Sequence, residues 1–347
     1  GSGTELRCPS SPFAFSEKFN ELLGGDTSGS GKLPTHLVYR LSDGSCADFT
    51  GTGESGATFS PARGAYIAKY FVEKGYATNY AASWYLGRTD VATVAGDGAA
   101  VVATGSSGTN AWFPESGTCK GLGNAIGPMT ISRLDAATPP TSQIPLLGDS
   151  SPGDAGEAVL TTEIPGWAPA GDRLCEAAND GPAYIYTGGT NPPDVVFLDN
   201  AVKSGKNGYV GAGGLNLYGS AGTPAFSNDV YPSPNDLGGA GAYAHTNSTT
   251  PSDWNTLYGG DDGLLWLQDT RDWYAMHSGQ VNILMGDGSV KSFKDTNGDH
   301  FFNPGFGMAG GTEEADGITG NAIEMPVFEI YNGATLYHSN LKKEAFE

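Results

Sequence analysis

The sequence predicts an α+β fold in which short N-terminal helices precede a mostly antiparallel β-sheet with long loops and insertions. Apolar residues recur at helical spacing before Gly75, and beyond it they alternate or form short runs between turn residues. The chain also contains 53 Gly and 21 Pro among 347 residues, a content that favours turns and short strands. We expect a single domain over residues 1–347, with enough hydrophobic residues (38%) to form a core.

Two helices are expected near the N-terminus. In the first, Ser16 is the candidate N-cap and Gly24 the stop, and the apolar residues at helical spacing between them are Phe19, Leu22 and Leu23. The second lies in SPARGAYIAKYFVEKG, with Pro61 near its start and Gly75 after its end. Its apolar stripe is predicted to consist of Tyr66, Ile67, Tyr70 and Phe71.

Strand-like patterns follow the second helix. They are TNYAASWYLGR, AAVVATG, AYIYTGG, DVVFLDN, VNILMGDGSVKSF and MPVFEIY. Residues 204–262 are rich in Gly and Asn and are interpreted as an elaborated surface insertion. Residues 1–3, Gly-Ser-Gly, are interpreted as a cloning scar or a processed end, so we expect that an N-terminal signal or anchor has been removed.

The charge balance limits the possible partners. Lys and Arg number 18 against 38 Asp and Glu, which gives a formal charge of −20. Such a chain repels phosphate backbones and anionic membranes, so nucleic acid is not an expected partner. A dense population of carboxylates suits divalent cations, and extracellular fluids supply calcium at concentrations that fill even weak sites. Calcium is therefore the first cofactor to consider.

The four cysteines are widely separated and show no Cys-x-x-Cys spacing. This argues against a zinc knuckle or a thioredoxin-like motif. We interpret Cys8, Cys46, Cys119 and Cys175 as two disulfides in an exported protein. Three pairings are possible, and the local one joins Cys8 to Cys46 and Cys119 to Cys175. Free buried thiols are the alternative.

The sequence contains no complete catalytic motif. A Gly-x-Ser-x-Gly elbow is missing, and GDSSPG at residues 148–153 shares only Gly-Asp-Ser with a serine-protease nucleophile loop. The five histidines have no metal-ligand spacing, and nothing singles out a pair among the 38 acids for glycoside hydrolysis. We therefore predict that the protein is not an enzyme.

Residues 277–306 combine a hairpin with an acidic loop. Apolar residues alternate over Val281–Met285, GDGS supplies the turn, and the chain returns over Val290–Phe293. His277 precedes the first strand and Asp287 lies at the turn, so roughly ten residues at about 3.3 Å each separate them. We predict that His277 is structural and fixes the start of the strand by hydrogen bonding.

The acidic loop DTNGDHFFN matches part of an EF-hand pattern. Its oxygen ligands at positions 1, 3, 5, 7 and 9 would be Asp295, Asn297, Asp299, the Phe301 carbonyl and Asn303. His300 stands where Gly is usual, and Phe306 stands where a bidentate Glu belongs. The missing ligands are sought among Glu313, Glu314, Asp316 and Asp287. We predict Ca²⁺ here; a solvated acidic turn capped by Asx hydrogen bonds is the alternative.

The hairpin carries a spacing seen in a known family. His277, nine residues and then Asp287-Gly288 resemble the C-terminal motif of large pilin-like proteins that are abundant in planctomycetes. Three other segments are similar to the same family: LRCPSSP at residues 6–12, GYATNYAASWYLGR at 75–88 and SQIPLLGDSS at 142–151. The resemblance implies a pilin-like globular head, related to type IV pilins and type II secretion pseudopilins. This sequence departs from that family because it lacks the long hydrophobic N-terminal helix and the prepilin peptidase site.

The resemblance leads to an expected function. It implies an exported, non-catalytic structural subunit of a pilin-like or pseudopilin filament, located at the cell surface, in the periplasm or outside the cell. Its partners would be copies of itself or other pilin-like subunits, and it would contact a membrane only through the removed helix. Related pseudopilins have calcium-stabilised loops, which supports the calcium prediction. A surface adhesin or carbohydrate-binding module is the alternative, indicated by six Trp, sixteen Tyr and the 204–262 insertion.

Overall fold

Short helices and strands joined by long connections make up the described part of the chain. The computed structural model describes residues 7–24, 56–90, 93–94, 100–101, 113–114, 125–153, 158–186, 194–197, 267–305, 317–319, 323–326, 329–333 and 336–337. The helices are α1 (Lys18–Leu23), α2 (Pro61–Ile67), α3 (Trp84–Arg88) and α4 (Ile131–Ala136). The strands are β1 (Tyr80–Ala82), β2 (Thr93–Val94), β3 (Ala100–Val101), β4 (Phe113–Pro114), β5 (Pro145–Asp149), β6 (Pro182–Tyr186), β7 (Asp194–Phe197), β8 (Leu267–Gln268), β9 (Gln280–Met285) and β10 (Val290–Lys294).

The described strands form three sheets, and every ladder between them is antiparallel. The largest sheet has the order β1-β5-β9-β10, and the two smaller ones have the orders β3-β2-β4 and β7-β6-β8. The structure thus has both helices and antiparallel sheet, as the α+β prediction requires. The predicted 204–262 insertion lies outside the described residues.

The first helix begins one residue later than its predicted cap implies. Glu17, not Ser16, occupies the N-cap position of α1, and it makes no capping hydrogen bond through its side chain. Ser16 instead forms an isolated parallel bridge with Cys175. The predicted stop is confirmed, because Gly24 adopts a φ of 122° that favours glycine.

The second helix turns part of its predicted apolar stripe to the core. Ser60 caps α2 by accepting a hydrogen bond from the Arg63 amide, but the helix continues as a π-helix over Ala68–Val72. The wider π turn rotates the following side chains. Ile67 of the predicted stripe is buried and Phe71 packs against the same core, whereas Tyr66 and Tyr70 are half-buried and pack on one another. Ala68 and Val72 are buried positions that the pattern did not predict.

Two strand predictions need correction. Only Tyr80–Ala82 of TNYAASWYLGR is a strand, because the Ser83 hydroxyl accepts from the Leu86 amide and starts α3. In MPVFEIY, the described residues 325–326 and 329–331 form no strand. Met325, Ile330 and Tyr331 are nevertheless buried, so their apolar character reflects core packing rather than strand pairing.

The hairpin prediction is confirmed. Strands β9 and β10 pair from Val290 opposite Leu284 to Lys294 opposite Gln280, and Val281, Ile283 and Met285 point into the core. Gly288 takes a φ of 85° at the turn, which satisfies the need for a residue that tolerates positive φ.

Two apolar clusters form the core of the described residues. One joins α1, α2 and the 158–174 segment through residues that include Phe15, Leu23, Ile67, Leu160 and Leu174. The other lies on the four-stranded sheet and includes Trp273, Ile283, Met285, Phe293 and Phe302.

Trp273 packs directly on the backbone of β5. A Cβ atom placed on Gly148 would lie 2.7 Å from the indole, and the indole Nε1 donates to the Ala81 carbonyl at 3.1 Å. The sheet therefore requires a residue without a side chain at position 148. In the part of the chain that the structure describes, no helix has the length and apolar character needed to cross a bilayer.

Candidate functional site

The segments singled out by their resemblance to pilin-like proteins meet at one edge of the four-stranded sheet. Tyr80 at the start of β1 pairs with Asp149 at the end of β5, and Gly148 pairs with Ile283 in the middle of β9, so Asp149 lies toward the start of β9. Because neighbouring strands are antiparallel, the start of β1, the end of β5 and the start of β9 lie side by side. His277 lies three residues before β9, so it reaches the same edge.

Three chemically distinct side chains come together there. The His277 Nε2 atom lies 3.1 Å from the Asp149 Oδ1 atom and 3.6 Å from the Cys8 Sγ atom. Among the described residues, these three form the one group of His, Cys, Asp or Glu side chains whose ligand atoms all lie within 4.8 Å of one another. Cys8 and Asp149 are buried, whereas the His277 side chain is 28% exposed and opens the group to solvent.

The surrounding backbone holds two of these groups in place. The second oxygen of Asp149 accepts a hydrogen bond from the Asn282 amide at 2.8 Å, which fixes the carboxylate on β9. Asn79, buried just before β1, accepts from the Cys8 amide at 2.7 Å and donates to the Cys8 and Phe13 carbonyls at 3.1 and 3.0 Å. One side chain therefore clamps the N-terminal segment that presents Cys8.

Tyr80 also borders the group. Burial, followed by the influence of Cys8 and Asp149, raises the pKa of the Tyr80 hydroxyl to about 12. The hydroxyl therefore stays protonated at neutral pH and can donate a hydrogen bond to a thiolate or a carboxylate.

The arrangement differs from a catalytic Cys-His-Asp triad. In a triad, one imidazole nitrogen faces the nucleophile and the other faces the carboxylate. Here the same Nε2 atom contacts both Cys8 and Asp149. The three ligand atoms instead surround a common point, which is the geometry of a shared hydrogen-bond network or of metal coordination.

His277 and Asp287 lie at opposite ends of the hairpin. Asp287 accepts from the Ser289 amide and hydroxyl at the turn, and the His277 amide donates to the Gln280 carbonyl at the start of β9. The sequence predicted that His277 fixes the start of the strand by hydrogen bonding, and the backbone amide of His277 makes such a bond. The prediction missed the partners of the ring, because Asp149 and Cys8 are 128 and 269 residues away along the chain.

The structure describes two of the four cysteines that were predicted to form disulfides. Cys8 and Cys175 are buried and carry free thiols, and the Cys175 Sγ atom contacts the Phe15 carbonyl at 3.4 Å. Burial raises the pKa of the Cys175 thiol to about 12. At these two positions the structure has the free buried thiols that were the alternative to disulfides, and Cys46 and Cys119 lie outside the described residues.

The acidic loop is a series of Asx turns. Asp295 accepts from the Gly298 and His300 amides, Asn297 accepts from Asp299, and Asp299 accepts from Phe301 at 2.8 Å. These bonds correspond to the capped acidic turn that was the alternative to calcium. Asp295 and Asp299 are buried, and each Asp295 oxygen accepts one of these bonds. The second oxygen of Asp299 also accepts from the Asn297 side-chain amide and from the Thr319 amide and hydroxyl.

His300 occupies the position where an EF-hand has Gly. It adopts a φ of 71°, the left-handed conformation that Gly would take most easily, and its ring stacks on Tyr274. The departure from the EF-hand pattern is therefore accommodated by the backbone.

The sequence missed one acid that borders this loop. Glu324 accepts from the Thr296 amide and hydroxyl and from the Asn303 amide, and burial raises the pKa of its carboxyl. Among the acids predicted to complete the site, Asp287 lies at the other end of β10. Glu313, Glu314 and Asp316 are outside the described residues, as is Phe306 at position 12.

Comparison with known proteins yields one match. Residues 161–300, less than half of the chain, match a family described as "Protein of unknown function (DUF1559)". The matched range contains His277 and the Asp287-Gly288 turn but not Cys8, Asn79 or Asp149. No curated protein and no solved structure matches the chain. The chain is thus similar, over its matched residues, to a family whose description assigns no function.

Proposed function

We propose that this chain is the exported globular head of a pilin-like or pseudopilin filament subunit, and that it acts structurally rather than catalytically. The observation that carries the proposal is the place where the segments that resemble pilin-like proteins meet. Cys8, Asn79, Asp149 and His277 converge on one edge of the sheet, where they join the N-terminal segment to β1, β5 and β9. Residues used in this way maintain the shape of a head domain.

The family match adds support over residues 161–300. That family occurs in planctomycete pilin-like proteins, and its matched range includes the β9–β10 hairpin. The expected partners are copies of the chain or related subunits. The adhesin alternative has less support, because Trp84 and Trp273 are buried in the described part of the chain and Trp167 packs partly buried against the core.

Immunogold electron microscopy of producing cells tests the filament proposal. An antibody raised against this chain should label extracellular or surface filaments along their length, and cells lacking the gene should show no label. Labelling confined to the cytoplasm, or spread over a surface without filaments, would contradict the proposal.

We also propose that Ca²⁺ binds the loop of residues 295–303. Asp295, Asn297, Asp299, the Phe301 carbonyl and Asn303 would supply the oxygens, with Glu324 beside them. The support is the burial of Asp295 and Asp299 in a loop whose sequence places oxygen-bearing side chains at alternate positions. Buried carboxylates gain stability from a bound cation that offsets their desolvation and mutual repulsion.

Thermal unfolding of metal-free protein tests the calcium site. Calcium binding to the folded state should raise the free energy of unfolding by about 2.7 kcal/mol at a concentration one hundred times the Kd. The Asp295→Asn and Asp299→Asn variants should lose this response, and Asp135→Asn on the exposed face of α4 should keep it. If millimolar Ca²⁺ leaves the wild-type Tm unchanged, the loop is the capped acidic turn.

A further inference from the structure

We propose that Cys8, Asp149 and His277 form a binding site for Zn²⁺. A bound ion would fasten the N-terminal segment to the edge of the four-stranded sheet. The inference does not depend on the filament proposal, because it concerns the internal chemistry of the folded chain.

The distances between the three side chains suit a tetrahedral ion. Zinc bonds of about 2.3 Å to sulfur and about 2.0–2.1 Å to nitrogen or oxygen place neighbouring ligand atoms of a tetrahedral site roughly 3.3–3.6 Å apart. The Cys8 Sγ to His277 Nε2 distance is 3.6 Å, and the His277 Nε2 to Asp149 Oδ1 distance is 3.1 Å. The third pair, the Cys8 Sγ atom and an Asp149 carboxylate oxygen, lies within 4.8 Å, so a side-chain shift of up to about 1 Å would bring all three ligand atoms to tetrahedral spacing.

The ligand types select the metal. A thiolate and an imidazole favour Zn²⁺ over the hard cations Ca²⁺ and Mg²⁺, which prefer sites made of oxygen atoms. The set differs in this respect from the all-oxygen loop of residues 295–303. The two sites would therefore take different ions from the same solution.

The neighbouring hydrogen bonds are those of a supported metal site. Metal ligands are held by further partners that fix their orientation. The Asn282 amide holds the Asp149 oxygen that faces away from His277, and Asn79 holds both backbone groups of Cys8. The partial exposure of the His277 ring gives an ion a path to the site and leaves a fourth position for water.

The site would join segments that are distant in sequence. His277 and Asp149 are 128 residues apart, and His277 and Cys8 are 269 residues apart. An ion that binds this folded arrangement and not the unfolded chain stabilises the fold. The proposal requires Cys8 as a thiolate, so it excludes the predicted disulfide between Cys8 and Cys46.

Cobalt titration of the reduced, metal-free chain tests the site. Co²⁺ reports on thiolate coordination through a near-ultraviolet charge-transfer band, and millimolar Ca²⁺ in the buffer keeps the 295–303 loop occupied if that loop binds calcium. We expect one equivalent of Co²⁺ to produce the band, one equivalent of Zn²⁺ to abolish it, and Zn²⁺ to raise the Tm.

Matched variants assign the ligands. Cys8→Ser and His277→Asn should each lose the cobalt–thiolate band, whereas Cys175→Ala, at the other buried thiol that the structure describes, and His300→Asn should keep it. If Cys8→Ser does not fold, the isosteric Asp149→Asn variant replaces it, with the expectation that Co²⁺ affinity falls at least tenfold. The proposal is overturned if the wild-type chain shows no band, if Cys8→Ser or Asp149→Asn binds as the wild type does, or if peptide mapping of the purified chain finds Cys8 in a disulfide.

Discussion

Replacing Asn79 with Ala should destabilise the fold by about 3 kcal/mol. The Asn79 side chain makes three hydrogen bonds to backbone groups, one from the Cys8 amide and one each to the Cys8 and Phe13 carbonyls. Each such bond contributes about 1 kcal/mol net, and a buried group left without its partner costs about 1–3 kcal/mol. Asn79 is 1% exposed, so water would replace these bonds only where the N-terminal segment moves away from the sheet.

Urea unfolding followed by tryptophan fluorescence measures the effect. Asn79→Asp keeps the acceptor for the Cys8 amide and loses both donor bonds, so it should lower the free energy of unfolding by at least about 2 kcal/mol. Asn282→Ala is the matched control, because its side chain makes an exposed hydrogen bond to Ser292, and we expect a change within about 0.5 kcal/mol. A loss below about 1 kcal/mol for Asn79→Ala would refute the role assigned to Asn79 as a clamp.

Three further predictions concern packing, backbone conformation and pH. Gly148→Ala should destabilise the chain by about 2 kcal/mol because the new methyl group would overlap the Trp273 indole. Gly87 lies in a helix with open space around it, so Gly87→Ala should raise the free energy of unfolding by up to about 1 kcal/mol. If urea unfolding finds Gly148→Ala more stable than Gly87→Ala, the packing argument is contradicted. Gly288→Ala meets no neighbouring atom but keeps a φ of 85°, so it should cost about 1 kcal/mol, and an unchanged Tm would show that the hairpin turn tolerates the side chain. Burial and nearby carboxylates raise the pKa of Asp272 well above 3.8, so its folded form binds a proton more tightly than its unfolded form. The stability that this protonation contributes is lost as pH rises from about 4 through the raised pKa. Asp272→Asn should therefore unfold at a higher Tm than the wild type at pH 7 and at a similar Tm at pH 3, and a lower Tm at pH 7 would disprove the sign.

Local signals in the sequence were informative where the determinants lie within a few residues. Gly24 ends α1, Ser60 and Pro61 stand at the start of α2, and GDGS closes the β9–β10 hairpin. Local patterns failed where tertiary packing decided the outcome. Ala68 and Val72 of the π-helix are buried although the helical stripe did not include them, and Met325 and Ile330 are buried without belonging to a strand.

The candidate site shows the same division. Resemblance singled out the four segments that contain Cys8, Asn79, Asp149 and His277, but it gave no role to Asn79 or Asp149. The number and spacing of the cysteines assigned Cys8 to a disulfide. Spacing along the chain could not relate these residues, since no common period links positions so far apart. Tyr80 does pair with Asp149 across the sheet, and this contact follows from strand register alone.

The sequence by itself determined the α+β class, the hairpin of His277 to Phe293, the position of an acidic loop after it, and a strongly acidic charge. These depend on turn residues, side-chain periodicity and composition, which act over short distances or over the whole chain. Only the tertiary structure placed the His277 ring between Asp149 and Cys8. The physical reason is that the antiparallel order β1-β5-β9 brings the start of one strand beside the end of the next, and so joins side chains that the chain itself keeps far apart.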